Sequence, residues 1–281
     1  MNSSDTHQDP SLEVQVMHRL EGGVSWITLN RPSQMNAMTP DQRDRIIALL
    51  HQASETIEHR AVVISATGTN FCTGVDLKIG GRTQLPLPEG APDRPVGSLA
   101  RNVRWGVQQL IEAVLNCEKP VIAAVNGTAA GIGAHLAFAC DVVIAAEEAS
   151  FIEVFVRRGL FPDGGGTWLL PRLVGLQRAK ELIFFGDAVP AKAAERMGLV
   201  NKVVGLSQLE DEARAWANRL ATGPTFAISL AKAALNRSFD MDRESTYERE
   251  AIAVDLLRRS QDSEEGLTSF KENRPAHFNG W

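Results

Sequence analysis

The sequence predicts a layered α/β core followed by a helical tail, and three observations support this fold class. Short, wholly apolar segments at 61–65 and 121–125 are typical of strands buried in a parallel sheet. Each is followed within a few residues by a glycine-bearing turn, at 68–74 and 126–133. Beyond residue 205 the apolar residues recur at helical spacing. Strand–turn–helix units side by side, followed by helices alone, are typical of a layered domain with a helical extension.

The individual elements follow from periodicity and from capping signals. The first helix is predicted to begin at Thr39, because threonine is a suitable N-cap and Pro40 suits the first helical position. The segment 80–97 is rich in glycine and proline and predicts a loop or a mobile lid. The predicted strands are 14–18, 24–30, 61–65, 121–125 and 142–146. The predicted helices are 39–57, 103–116, 177–185, 191–197, 206–222, 224–238 and 243–261.

Composition and charge argue against several classes of protein. A net charge of −5 disfavours non-specific binding to nucleic acid, which requires a basic surface. The three cysteines lack metal-ligand spacing and are odd in number, so we expect no metal site and a reducing, cytoplasmic compartment. Residues 1–10 are polar, are expected to be disordered and lack a signal-peptide pattern. No apolar run approaches the roughly 20 residues that a membrane span requires, so no membrane partner is expected.

The most informative segment is the turn 126–135, Asn-Gly-Thr-Ala-Ala-Gly-Ile-Gly-Ala-His. It links an apolar strand to a helix, so several backbone N–H groups at the helix start lack intrahelical partners. Such donors can hold an anion or a developing oxyanion, and a turn needed only for packing is the alternative. A dinucleotide fingerprint is disfavoured because Leu136 replaces its third glycine. No Gly-Lys-Ser/Thr triplet is present, which excludes a phosphate-binding P-loop.

Several blocks of residues occur in a distinctive order along the chain. They are Leu29-Asn-Arg-Pro32 with Asn36-Ala37, Phe71-Cys-Thr-Gly-Val-Asp-Leu77, Lys119-Pro120 with Asn126-Gly-Thr-Ala-Ala-Gly131, Gly159-Leu-Phe-Pro-Asp-Gly-Gly-Gly-Thr167, and Leu170-Pro-Arg172 with Gly175. The ordered set resembles the crotonase (enoyl-CoA hydratase/isomerase) superfamily from about Val14 to Phe278. Segment 162–172 is most similar to the bacterial isomerases that act on ring-epoxidised phenylacetyl-CoA and on misplaced enoyl-CoA double bonds.

The resemblance implies a fold, an assembly and a substrate. The implied fold is a crotonase-like spiral of ββα units over residues 11–205, after the N-terminal residues 1–10. A C-terminal helical region over 206–281 is implied to build homotrimers or hexamers (dimers of trimers). The implied substrate is an acyl-CoA thioester, with coenzyme A as part of the substrate and no separate cofactor.

The resemblance also implies an oxyanion hole made by the backbone N–H groups of Val75 and Ile132. Removing a proton beside a thioester produces an enolate whose charge collects on oxygen, and preorganised donors stabilise that charge. Glycine is common at the position of Ile132. A β-branched residue is strained at positive φ, so Ile132 must adopt a negative φ to serve as a donor.

Proton transfer is assigned by the resemblance to Asp163. The two carboxylates of the hydratases fall at His135 and Phe155, and neither residue is acidic, so isomerisation is favoured over hydration. Asp163 matches the acidic proton carrier of the isomerase branches, and burial beside an acyl chain would raise its pKa. Capping of the following helix is the alternative role for Asp163. An enoyl-CoA hydratase and a non-catalytic acyl-CoA-binding homologue are the alternative functions.

The other expected site residues line the acyl pocket or contact coenzyme A. Gly131, His135 and Phe155 are expected in the pocket, and a core histidine made neutral by the helix dipole is the alternative for His135. Glu153 is a further acid near the site, and a charge simply paired with Arg157 one turn on is the alternative. Phe270 and Lys271 resemble a tail that reaches a neighbouring subunit's ligand, a solvated helix being the alternative, and Arg82, Arg94 and Arg101 could meet phosphates. The coenzyme A contacts implied within one subunit are Met35, Ala37, Thr73, Asp76 and Leu77.

Overall fold

The strands form two sheets within the residues that the computed structural model describes, which are 15–78, 88–92 and 95–281. The antiparallel pairs are the first with the second strand and the eighth with the ninth, and the other pairs are parallel. The larger sheet has the order β1 (Val16–Glu21), β2 (Val24–Leu29), β3 (Ala61–Ala66), β5 (Val121–Val125), β7 (Val142–Ala146) and β10 (Lys202–Val204). The smaller sheet has the order β4 (Asn70–Cys72), β6 (Thr128–Ala130), β8 (Ser150–Ile152) and β9 (Ala188–Pro190).

Successive strands alternate between the two sheets, and this alternation generates a spiral. Strands β3, β5 and β7 of the larger sheet are each followed directly by β4, β6 and β8 of the smaller one, and then by helix. Parallel pairing stacks each turn on the previous one in both sheets. The predicted spiral of ββα units is confirmed. Its consequence is that equivalent turns after β4 and β6 lie side by side.

The helices of the described residues mostly follow the predicted periodicity. The predicted start at Thr39 is confirmed, since Thr39 Oγ1 accepts from the N–H of Gln42 at 3.2 Å and the Gln42 side chain accepts from the N–H of Thr39 at 3.1 Å. The helices are α1 (Pro40–Glu55), α2 (Ser98–Arg104), α3 (Val107–Leu115), α4 (Ile132–Ala139), α5 (Gly166–Val174), α6 (Leu176–Phe185), α7 (Ala191–Met197), α8 (Leu209–Ala221), α9 (Thr225–Leu235), α10 (Arg243–Leu257) and α11 (Gln261–Glu272).

Three helical segments differ from the prediction. The helix predicted over 103–116 is broken at Gly106, where any Cβ would overlap the carbonyl oxygen of Asn102. The helix predicted over 243–261 ends at Leu257, because Ser260 caps a new helix by accepting from the N–H of Ser263 at 3.1 Å. A helix after Asp163 was expected, but the bounds of α5 were not predicted, since it begins in a run of glycines and contains Pro171.

The central strands of the larger sheet, such as β3 and β5, are buried on both faces. Alternate residues of β3, Val62 and Ile64, belong to the main core, whereas Ala61 and Val63 face a second apolar layer. That second layer is completed by Leu209, Ala213, Ala217 and Ala221 of α8, which recur every four residues along one face. The first helix beyond residue 205 is thus part of the sheet packing.

The last helices are held differently from α8. Helix α9 is fixed by buried Lys232, whereas α10 has no buried residue and exposes Tyr247, Ile252 and Val254. None of the described helices combines the length and apolarity needed to cross a membrane. The described part of the chain contains no cluster of three or more His, Cys, Asp and Glu residues arranged to hold a metal ion.

Candidate active site

Two backbone amides meet where β4 and β6 end. These strands pair in parallel with Cys72 opposite Ala129, so Val75 and Ile132 each lie three residues past the pair. The two backbone segments almost touch there, because a Cβ on Gly131 would lie 4.0 Å from the Cα of Gly74. Among the described residues, the N–H groups of Val75 and Ile132 have no hydrogen-bond acceptor. Two adjacent free donors are what an oxyanion site requires.

The turn before α4 suits this purpose because Gly131 takes the difficult backbone conformation. Gly131 has φ +55°, while the described non-glycine residues with positive φ are Met35, Asn36 and Asn273. Ile132 is not among them, so the expectation that it avoids positive φ is confirmed. The turn also serves packing, since a Cβ on Gly133 would overlap the carbonyl oxygen of Cys72. Packing and free donors therefore coexist in one turn.

His135 lies in the first turn of α4, directly after this turn, and is fully buried. Its side chain has no exposed surface, and its Nε2 lies 3.0 Å from Oε2 of Glu153, which is 4% exposed. The Phe155 ring stacks on the imidazole with centroids 5.1 Å apart. His135 Nδ1 and Glu153 Oε1 are buried without a hydrogen-bond partner. The pair is thus enclosed but only half satisfied.

The alternative interpretation of Glu153, a pairing with Arg157, is wrong. Arg157 instead bonds Asp187, with Nη2 2.8 Å from Oδ1. Glu153 continues the alternation of β8, so it points to the same interior side as Phe151 and Phe155, which are also buried. The sequence could not have identified this buried carboxyl group from periodicity, because every residue of 151–155 other than Glu153 is apolar.

The glycine run before α5 covers the imidazole. A Cβ on Gly164 would lie 2.7 Å from His135 Nδ1 and would also overlap Ile132 Cδ1. A Cβ on Gly166 would overlap His135 Nε2. These contacts, which sequence reasoning missed, bring the residue after Asp163 against both Ile132 and His135.

Asp163 is half-buried in the segment that leads into α5. Burial raises the pKa of its carboxyl group, while its own backbone N–H and the nearby His135 lower that pKa. The capping alternative fails, because the N-cap of α5 is Gly165 and no side chain caps this helix. Gln108 of α3 donates from Nε2 to the backbone oxygen of Asp163 at 3.3 Å, which holds the segment in place.

The loops expected to bind coenzyme A are joined by hydrogen bonds. Thr73 Oγ1 donates to the carbonyl of Met35 at 3.1 Å. Arg31 connects the two loops, donating to the carbonyl of Ala37 at 2.6 Å and pairing with Asp76 at 3.1 Å. Asp76 Oδ1 also accepts from the N–H of Lys78 at 3.0 Å. Asp76 therefore organises backbone, while Leu77 beside it is 72% exposed.

The remaining predicted residues are not brought to this site within one subunit. Phe270 is 85% exposed on α11, and no hydrogen bond or ion pair in the described part of the chain links it or Lys271 to the loops at 35–37 and 73–77. Arg101 is exposed and donates to the carbonyl of Val96 at 3.4 Å. Arg82 and Arg94 lie outside the described residues.

Comparison with known proteins agrees with this architecture. Residues 19–280 match the family model for enoyl-CoA hydratase/isomerase. A Rhodobacter capsulatus protein named as an enoyl-CoA hydratase is 39% identical over 94% of this chain and 98% of its own length. The 1,2-epoxyphenylacetyl-CoA isomerase of Escherichia coli is 35% identical, again over 94% of this chain and 98% of its own. A solved Streptomyces coelicolor structure described as an enoyl-CoA hydratase superposes with a TM-score of 0.87, at 34% identity and complete coverage of both chains. The chain therefore belongs to the enoyl-CoA hydratase/isomerase family of the crotonase superfamily.

Proposed function

We propose that this protein is an acyl-CoA double-bond isomerase in which the amides of Val75 and Ile132 hold an enolate oxygen and Asp163 moves the proton. The observation that carries the proposal is the junction of two free amides with the segment that bears Asp163, made by the contact of Gly164 with Ile132. The positions at which hydratases of the family carry acids hold His135 and Phe155 instead.

In the proposed reaction Asp163 acts first as base and then as acid. The ionised carboxyl group removes a proton from C2 of a 3-enoyl thioester. The C2–H electron pair becomes the C1=C2 π bond of a dienolate, while the C1=O π pair moves onto the thioester oxygen between the two amides. As the carbonyl re-forms, the C1=C2 pair becomes the new C2=C3 π bond. The former C3=C4 electron pair then takes the proton from Asp163 at C4. No water is added, and the raised pKa of Asp163 suits a group that must both accept and return a proton.

The deciding experiment is exchange of the C2 proton of a 3-enoyl-CoA in D₂O, followed by NMR. Wild type is expected to exchange and to shift the double bond, and Asp163→Asn should slow both by about 10²–10⁴-fold. Asp187→Asn is the matched control, because Asp187 is an exposed carboxylate near Glu153 and is expected to leave the rate unchanged. A full rate in Asp163→Asn would overturn the role of Asp163.

Hydration is the second candidate, since the Rhodobacter capsulatus relative carries that name. It predicts oxygen-18 from labelled water in a hydroxyacyl-CoA product. Binding of acyl-CoA without any C2 exchange would instead identify a non-catalytic homologue. The 1,2-epoxyphenylacetyl-CoA isomerase of Escherichia coli supports the isomerase proposal and suggests aryl acyl groups as first substrates to assay.

Assembly into homotrimers or hexamers is part of the same proposal. Helix α10 carries Ile252 and Val254 at 55% and 58% exposure without covering any core, which leaves apolar surface for a subunit contact. Sedimentation equilibrium is expected to give three or six times the protomer mass, and Val254→Glu is expected to lower it.

A further inference from the structure

The proposed reaction leaves the buried His135–Glu153 pair without a task. Both side chains are nearly or fully enclosed, and each keeps one polar atom unbonded. An enclosed, half-satisfied pair is costly, and a pair of apolar residues would fill the same space without that cost. The cost calls for a functional explanation.

The unbonded edge of the imidazole faces the segment of Asp163. The Cβ position of Gly164 lies 2.7 Å from His135 Nδ1, and Asp163 is the preceding residue. Adjacent Cα atoms are about 3.8 Å apart, so the Cα of Asp163 lies within about 8 Å of the ring edge. Glu153 holds the opposite edge at Nε2.

We propose that Glu153 keeps His135 as a cation, and that this buried cation keeps the neighbouring Asp163 carboxyl group ionised and able to accept a proton. The inference rests on the proposed function of Asp163. His135 lies in the first turn of α4, where the helix dipole disfavours an imidazolium, so the carboxylate of Glu153 is needed to stabilise it. His135 and Glu153 are positioning residues in this scheme.

Other ionisable groups near the His135–Glu153 pair are too exposed, too well paired or uncharged, so they cannot replace the charge of His135. Arg157 and Asp187 are exposed and bond one another at 2.8 Å. Burial raises the pKa of the Cys72 thiol to about 11, so it carries no charge at neutral pH. Burial raises the pKa of Asp163, whereas its own backbone N–H and the nearby His135 lower that pKa.

The test is a direct titration of Asp163 in the full-length protein labelled with [¹³C]aspartate. The Asp163 carboxyl signal is assigned by its loss in Asp163→Asn. Both Glu153→Gln and His135→Gln are expected to move the titration midpoint of Asp163 upward by about one pH unit. At a pH below the midpoint, C2 exchange should fall about tenfold, because the ionised fraction falls by that factor.

Controls separate this role from a structural one. Asp187→Asn removes an exposed negative charge near Glu153 and is expected to leave the midpoint unchanged. Glu153→Asp, which keeps the charge, should restore part of the shift. A midpoint that stays or moves down in Glu153→Gln overturns the inference, even if the variant is less stable. Because the two glutamine variants remove opposite ends of the pair, either one that folds is sufficient.

The titration also distinguishes the two proposals. If Asp163→Asn exchanges C2 protons at the full rate, the proposed function fails, whereas the midpoint of Asp163 still reports on His135. If C2 exchange depends on Asp163 but the titration midpoint of Asp163 is the same in Glu153→Gln as in wild type, only the inference fails.

Discussion

Two ion pairs, each with at least one buried side chain, hold this molecule together in contrasting ways. Lys232 of α9 donates from Nζ to Asp141 Oδ2 at 2.7 Å, to the carbonyl of Val114 at 3.0 Å and to that of Lys119 at 3.1 Å. All three ammonium protons are used. Asp141 Oδ2 also accepts from the N–H of Val121 at 2.7 Å. His135 and Glu153, in contrast, share one hydrogen bond and leave two buried atoms unbonded.

The difference teaches which pair the fold requires. The Lys232 pair connects a C-terminal helix to β5 and to the end of α3, and satisfies donors and acceptors that would otherwise be stranded. The His135 pair connects α4 only to the segment after β8, which already contact one another through the Phe155 ring stacked on the imidazole. We infer that the first pair serves stability and the second serves chemistry.

The largest expected effect on stability comes from Lys232→Met. The change removes the cation and leaves Asp141 and two carbonyl oxygens without their donor, which should lower the free energy of unfolding by about 3 kcal/mol. Urea denaturation at fixed protein concentration measures this loss. C2 exchange per folded molecule is expected to be unchanged, because no atom of the pair lies at the candidate site.

Lys192→Met is the matched control for this change. Lys192 and Glu147 lie 2.9 Å apart, but their side chains are 63% and 53% exposed, so the pair is worth at most about 1 kcal/mol. Equal losses from the two lysines would contradict the view that burial and full satisfaction make the Lys232 pair structural.

The second prediction concerns a substitution in the glycine run that packs against the His135–Glu153 pair. In Gly166→Ala the new methyl group overlaps His135 Nε2, the atom that bonds Glu153, so the ring or the glycine segment must shift. We expect a loss of about 1–3 kcal/mol in unfolding free energy, as for overpacked cores, together with slower C2 exchange. Gly205→Ala is the control, since its Cβ would meet only Gln208 Oε1 at 3.6 Å. Wild-type exchange in Gly166→Ala would show that the His135–Glu153 contact is dispensable.

The third prediction removes the site pair altogether. The double change His135→Leu with Glu153→Leu replaces an incompletely satisfied pair by apolar side chains, so unfolding free energy should stay the same or rise. C2 exchange should nevertheless fall near neutral pH, because Asp163 loses its ionising neighbour. A double variant that loses as much stability as Lys232→Met would place both pairs in the same structural class.

The contrast between the pairs also marks what the sequence could predict. Local signals gave the start of α1 at Thr39, strand β5 and helix α7, because caps and periodicity act within a few residues. The family motifs led to Val75, Ile132 and Asp163. The fold places the amides of Val75 and Ile132 beside each other, next to the segment that bears Asp163. The partners of Glu153 and Lys232 were not predicted, since they lie 18 and 91 or more residues away along the chain. Packing of the spiral decides those contacts.

The smallest expected effect belongs to an exposed pair that extends the comparison to the surface. Arg274 lies 2.6 Å from Glu265 and, with the N–H of His277, lowers the pKa of Glu265 from 4.5 to about 2. A lowered carboxyl pKa contributes stability above pH 4.5 that disappears as the pH falls toward 2. Glu265→Gln should therefore lower the Tm slightly at pH 6 and leave it unchanged near pH 2. Glu248→Gln on α10 controls for loss of an exposed carboxylate. A Tm difference for Glu265→Gln that persists at pH 2 would assign the effect to the hydrogen bonds of the side chain and not to its charge, which would separate this pair from both buried ones.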